Sequence, residues 1–201
     1  SIGDAQLLLL PVHSLTGPVW VSTAGRLKEA GFDLDLPSLE RGQFATTLPG
    51  WSRPLNVGWL LLQPNEEPLT VTPPGALGQA PAWQAVRERL VLVDEGLFSQ
   101  VANSNLEVRT SVSIDPFTGA AKSGTLFTYE ALPRTTWLWF DVVEDDYRPE
   151  GFPKAQAPGC DRPLHVVRDG LKLAEYLGVG GMGTRGFGRI KLIHSWEVSD
   201  A

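Results

Sequence analysis

Apolar residues gather at the head of the chain and again in its second half, with a stretch between them that carries little periodicity. At the head, QLLLLPVHSL and GPVWVST are nearly continuous apolar runs separated by a Gly-Pro turn, which predicts two buried strands rather than half-exposed ones. GRLKEAGF predicts a short helix closed by Gly31. Residues 33–88 are rich in Pro, Gly, Thr and Trp around one apolar burst, VGWLLLQP. They predict an irregular insertion with short strands, and a helix only at PAWQAVRERL, where Pro81 suits a first turn. LVLVDEG predicts a further strand.

The segment LEVRTSVSIDPFTGAAKSGTLFTYEALPRTTWLWFDVV predicts a strand through Ser113, an arm around DPFTGAAKSG, a returning strand through GTLFTYEAL and a third strand, TTWLWFDVV. The arm's tip has little to bury, so it projects. On pattern alone it is either an ordinary exposed hairpin or a functional arm. An acidic, Pro-rich linker runs from Glu144 to Pro163. Beyond it Leu164, Val167, Leu171, Ala174 and Leu177 recur at helical spacing, and Gly178 marks the helix end. A glycine-rich loop follows at 178–188, and FGRIKLIHSWEV alternates as a closing strand would. The class is α+β. Strands, a helix and a final strand match the back of a βαββαβ, ferredoxin-like unit, so the front strand and helix are expected before Ser1.

The loop GVGGMGTRGFGRI poses the chemical question. Gly181, Gly183 and Gly186 spell the dinucleotide fingerprint G-x-G-x-x-G, but that motif needs a strand running in and a helix leading out, to seat a pyrophosphate on the helix N-terminus. Here the helix comes first. Two readings remain: a tight helix-to-strand turn that uses glycine for positive φ, or backbone N–H groups left open to an anion beside Arg185.

Composition narrows the rest. The chain has 201 residues, 42% of them hydrophobic, with seven Trp, enough for a sizeable core. Its longest apolar run, LLLLPV, is too short to span a bilayer, so no membrane partner is expected. One cysteine, Cys160, leaves no internal disulfide, which points to the cytoplasm. The net charge of −6 argues against a surface that binds nucleic acid everywhere. Charge is segregated, however: acids fill DLDLPSLE and VVEDDYRPEG, whereas Arg185, Arg189 and Lys191 flank the glycine loop. His13, His165 and His194 lack metal-ligand spacing, and neither G-x-S-x-G nor a Walker loop occurs. No catalytic residue, metal ligand or cofactor motif is visible.

Taken together, GDAQLLLLPVHSLTGPVWVSTAGRL, LEVRTSVSIDPFTGAAKSGTLFTYEALP and LGVGGMGTRGFGRI resemble the repeated backbone subunit of type III CRISPR effector complexes, in the RAMP superfamily. The likeness is nearer to the type III-B (Cmr) form than to the type III-A (Csm) form, and weakest across 33–83. It implies a ferredoxin-like palm at 1–32 and 89–201, the irregular insertion at 33–88, and a thumb arm at about 112–133. It also implies a helical filament of copies along a guide RNA (crRNA), with other effector subunits and complementary target RNA as partners. Asp115, Pro116, Phe117, Thr118, Gly119 and Lys122 match the thumb, which in relatives wedges into the guide–target duplex. Gly180, Gly181, Met182, Gly183, Thr184, Arg185 and Gly186 match the loop that holds guide backbone, and Arg189, Arg109 and Lys122 are the further RNA contacts expected. Relatives cut target RNA with Mg²⁺ or another divalent cation, using an aspartate whose loop would precede Ser1. His13 stands where relatives often carry arginine. Two other functions are a RAMP-type endoribonuclease that processes guides with a histidine, and an assembly module that touches no RNA.

Overall fold

The two apolar runs at the head of the chain pair as an antiparallel hairpin, β1 (Gln6–Ser14) with β2 (Gly17–Ser22). This is a computed structural model, and it describes residues 1–36, 38–144 and 162–194. Gly17 takes φ +89° in the turn. Ser14 Oγ donates to the Gly17 carbonyl at 2.6 Å and closes it. The short helix α1 (Ala24–Glu29) follows, its first turn capped by Thr23 and its end released at Gly31, φ +82°.

Residues 33–88 contain the expected short strands and place them in two ways. β3 (Asp33–Asp35) pairs with β7 (Thr70–Thr72) as a separate ribbon. β4 (Gln43–Thr46), β5 (Leu55–Val57) and β6 (Leu60–Pro64) instead join the principal sheet. Helix α2 (Pro81–Val86) opens with Pro81 at its first turn and leads to β8 (Leu90–Val93). The principal sheet of seven strands is completed by β11 (Trp137–Trp139), and its order is β11-β1-β2-β8-β4-β6-β5. β2–β8 and β4–β6 are parallel, and the other neighbours are antiparallel.

Both faces of this sheet are covered, which explains the unbroken apolar runs. In β8, Val91 and Val93 face one cluster and Leu90 and Leu92 the other, and all four are buried. The first cluster is roofed by α3 (Glu95–Ser104) through Leu97, Phe98 and Val101. The second holds Leu27 of α1 with Trp83 and Val86 of α2. Helix α3 is not among the elements that the hydrophobic pattern predicts. Its signal is local: Asp94 Oδ1 accepts the Gly96 N–H at 3.0 Å, Glu95 lies in the first turn, and Leu97 and Val101 share a face.

The chain is therefore α+β, with a large mixed sheet and few helices. One predicted element is corrected. Residues 187–194 form no strand, because Leu192 N–H donates to Glu175 Oε1 at 2.7 Å rather than to a neighbouring strand. The segment runs against helix α4 (Pro163–Leu177), and Ile193 packs on the second cluster. The acidic linker from 145 to 161, the residue Cys160 and the end of the presumed closing strand, 195–198, lie outside the described residues.

Candidate nucleic-acid interface

The arm is a hairpin of its own, β9 (Glu107–Ser111) with β10 (Phe127–Ala131), and among the described residues it joins no other sheet. Arg109 lies opposite Tyr129, and Ser111 opposite Phe127. An Ile114–Ala121 bridge and a hydrogen bond from Lys122 N–H to the Ser113 carbonyl, 2.9 Å, carry the hairpin outward. The tip is a closed turn. Asp115 Oδ1 accepts N–H groups from Phe117 at 2.8 Å and Thr118 at 3.3 Å, and Gly119, φ +67°, donates to the Asp115 carbonyl at 2.9 Å. The sequence Asp-Pro-Phe-Thr-Gly thus folds the tip on itself. Phe117 is left 97% exposed, an apolar ring that nothing among the described residues covers.

In the glycine loop, positions divide by what a side chain would meet. Gly178 (φ +79°) and Gly188 (φ +70°) close the loop through the Val179 N–H, which donates to the Gly188 carbonyl at 2.9 Å. A Cβ on Gly188 would overlap the Val179 carbonyl oxygen. Here packing and positive φ both demand glycine. Gly180 (φ +71°) and Gly186 (φ +85°) need it for φ alone. At Gly181 and Gly183 neither reason applies: φ is ordinary, and a Cβ would meet nothing within 4 Å. The fold itself does not require glycine at those two places.

The same stretch keeps its donors open. Arg185 N–H donates to the Met182 carbonyl at 2.8 Å and Gly186 N–H to the Gly183 carbonyl at 3.0 Å, forming the short turn Gly183–Arg185. Met182, φ +63°, and Gly186 bracket that turn in left-handed conformations. Among the described residues no acceptor meets the N–H groups of Gly180, Gly181, Met182, Gly183 or Thr184, and Gly181 through Gly186 are exposed. Consecutive exposed N–H groups around a left-handed residue make an anion-binding concavity.

The loop is docked on the base of the arm. The Arg185 guanidinium carbon lies 5.3 Å from the centre of the Phe127 ring, and that of Arg109 lies 4.9 Å from the Phe187 ring. Tyr129 meets Phe187 edge-on at 5.1 Å, and Phe127 and Tyr129 are 5.7 Å apart. Arg109 also grips Glu107, its Nε and Nη2 donating to Oε2 at 3.0 and 2.7 Å. Arg185 has no carboxylate partner among the described residues. Its stacked, exposed guanidinium keeps a planar fork of donors free.

The structure thus brings Arg185 and Arg109 together and leaves Arg189 exposed beyond the loop. Lys122 and the other tip residues project without a contact to the loop. Phe127, Tyr129 and Phe187 are not among the residues that the sequence pattern singles out. Their signal was two aromatic residues at strand spacing and a third between glycines, and only the fold shows that they meet.

The RAMP superfamily profile matches residues 2–191. The chain belongs to the RAMP superfamily. No curated protein matches it by sequence. Two solved structures resemble this RAMP chain: a type III-B Cmr-beta complex in the apo state, at 15% identity, and type III-B Cmr-beta bound to cognate target RNA, at 16%. Each match has a TM-score of 0.46 and covers 70% of this chain and 55% of the other. The RAMP chain therefore spans about half the length of the chains it matches.

A divalent cation does not fit the residues at this interface. Glu107 is spent on Arg109 and Asp115 on its own turn, and among the described residues no three His, Cys, Asp or Glu side chains converge. No cleavage step is assigned to them. No helix among the described residues is long and apolar enough to cross a membrane.

Gly188→Ala is expected to lower stability by roughly 1–3 kcal/mol, since it combines a backbone overlap with a strained φ. A thermal melt unchanged from the parent protein contradicts the close-packing role of Gly188.

Proposed function

We propose that this RAMP chain is a guide-RNA-binding backbone subunit of a type III CRISPR ribonucleoprotein, with the glycine loop as the seat of the guide's sugar-phosphate chain. The observation that carries this reading is the pair Gly181 and Gly183, glycines that the fold does not need, facing open space in the same loop as Arg185, which has no carboxylate partner among the described residues. Close approach of a polyanion accounts for both features. A subunit that serves any guide must contact phosphates and 2′-hydroxyls and leave the bases unread, and N–H groups with a guanidinium do that.

In this reading copies of the chain follow one another along the guide through unlike faces, a heterologous and non-closing contact. The other effector subunits and complementary target RNA complete the assembly. The arm reaches toward the guide–target duplex and presents Phe117 to it. Target cleavage in this reading uses Mg²⁺ or another divalent cation, which the described residues of this interface do not hold.

Filter binding with two guide RNAs of unrelated sequence tests the reading. Affinities agreeing within about three-fold are expected, because phosphate contacts carry no sequence information. A difference beyond about ten-fold is base readout and contradicts it. Deleting the tip, residues 115–122, is expected to leave guide affinity within about two-fold, since the tip makes no contact with the loop. It is expected to disturb the regular spacing of target-cleavage products in the assembled complex. An unaltered product ladder removes the arm from the interface.

A further inference from the structure

We propose that Phe187 and Tyr129 are positioning residues that lock the RNA-binding loop to the base of the arm, so that a phosphate held at Arg185 fixes which nucleotide faces Phe117. The proposal rests on the loop reading above and adds a coupling to it. Among the described residues no ladder joins β9 and β10 to another sheet, so backbone pairing does not set the arm's direction. Side-chain contact does so from the loop side.

Phe187 meets both members of one cross-strand pair: Tyr129 at 5.1 Å between ring centres and Arg109 at 4.9 Å from guanidinium carbon to ring. Arg109 is not free to swing away, because Glu107 holds two of its nitrogens. Arg185 over Phe127 adds a contact two pairs further along the hairpin, on the same face. The guanidinium offered to RNA and the ring next to the arm's stem therefore belong to one cluster. Phe187 lies two residues from Arg185, and in the loop only Gly186 separates them.

The geometry makes a small tilt consequential. Arg109 and Phe117 are separated by a strand and a turn of eight residues, up to about 25 Å at about 3.3 Å per residue. A tilt of about 10° at the base then moves the tip by about 4 Å, on the order of one nucleotide step of a duplex, which is ~3.4 Å per strand in double-stranded DNA. Without the cluster the tip loses single-nucleotide register even though the loop still binds.

The test uses the ribonucleoprotein assembled on a guide, with a photo-crosslinking phenylalanine analogue in place of Phe117, and maps the crosslinked nucleotide on the guide–target duplex. With Phe187 intact the crosslink is expected at one nucleotide per bound copy. Phe187→Ala is expected to spread it over about three neighbours while guide affinity changes by less than about three-fold, and Phe187→Tyr to restore the single position. A crosslink still confined to one nucleotide in Phe187→Ala overturns the coupling, as does a spread crosslink with Phe187 intact or none at all. Where circular dichroism shows that Phe187→Ala has not folded, Tyr129→Ala carries the same test from the arm side, with the same two outcomes. Arg185→Glu is measured alongside. Its guide affinity judges the loop reading alone, and the crosslink pattern in Phe187→Ala judges the coupling alone.

Discussion

Replacing Gly181 and Gly183 together with alanine is expected to leave the protein as stable as before, or slightly more so, while guide-RNA affinity falls by about ten- to a hundred-fold. The two halves of this result have different physical sources. At an ordinary φ with open space around the new Cβ, alanine costs the folded state nothing and restricts the unfolded chain, a gain of about 0.4–1 kcal/mol per site. A methyl group on the open face of the loop, however, holds a phosphate away from the N–H groups behind it. Each hydrogen bond to a charged oxygen is worth about 1.5–3 kcal/mol, so losing one of them accounts for roughly the ten- to hundred-fold range. The check is a thermal melt and a filter-binding titration on the same preparation. Affinity within about two-fold of the parent contradicts the seat; a large drop in melting temperature shows instead that these glycines serve the fold.

That contrast with Gly188 also shows what the sequence conveys and what it withholds. Run together in one string, the glycines leave tight packing and anion binding equally open. The structure divides them, Gly178 and Gly188 to packing and Gly181 and Gly183 to neither packing nor φ. Helix α4 was legible because Leu164, Val167, Leu171, Ala174 and Leu177 recur at helical spacing and Gly178 marks the end; the structure adds Pro163, read as linker, to its first turn. The arm was legible because strand pattern and turn residues agree. The strand expected after the loop is not formed at 187–194 because alternation at Ile190 and Leu192 is a local signal, whereas the Leu192 N–H finds its acceptor on Glu175, a side chain of α4. Likewise the recruitment of β4, β5 and β6 into the principal sheet is decided by pairing across long separations, which period alone does not encode. The aromatic cluster was hidden for the same reason: Phe127 and Phe187 become neighbours of one site only after the loop docks on the hairpin.

Arg185→Glu is expected to weaken guide binding by about a hundred-fold at low salt, and by the same factor for every guide sequence. Two effects add. The substitution removes a charge-assisted contact of about 1.5–3 kcal/mol, and it places a carboxylate where a phosphate approaches, a repulsion of about 1 kcal/mol at 4 Å even in bulk water. The neutral Arg185→Gln separates them: it is expected to cost about ten-fold and to reduce the slope of log affinity against log salt by about 0.7, the value for one phosphate of a single strand. Folding is expected to tolerate both changes, because Arg185 is exposed and rests on the face of Phe127 without a carboxylate partner among the described residues. The decisive comparison is across sequences. In the proposed reading an exposed guanidinium over Phe127 meets backbone oxygens that are identical in every nucleotide, so uniform weakening is expected. Losses that vary more than about ten-fold between unrelated guides mean that Arg185 touches a base edge, and the loop is then a reader of sequence rather than a seat for any strand.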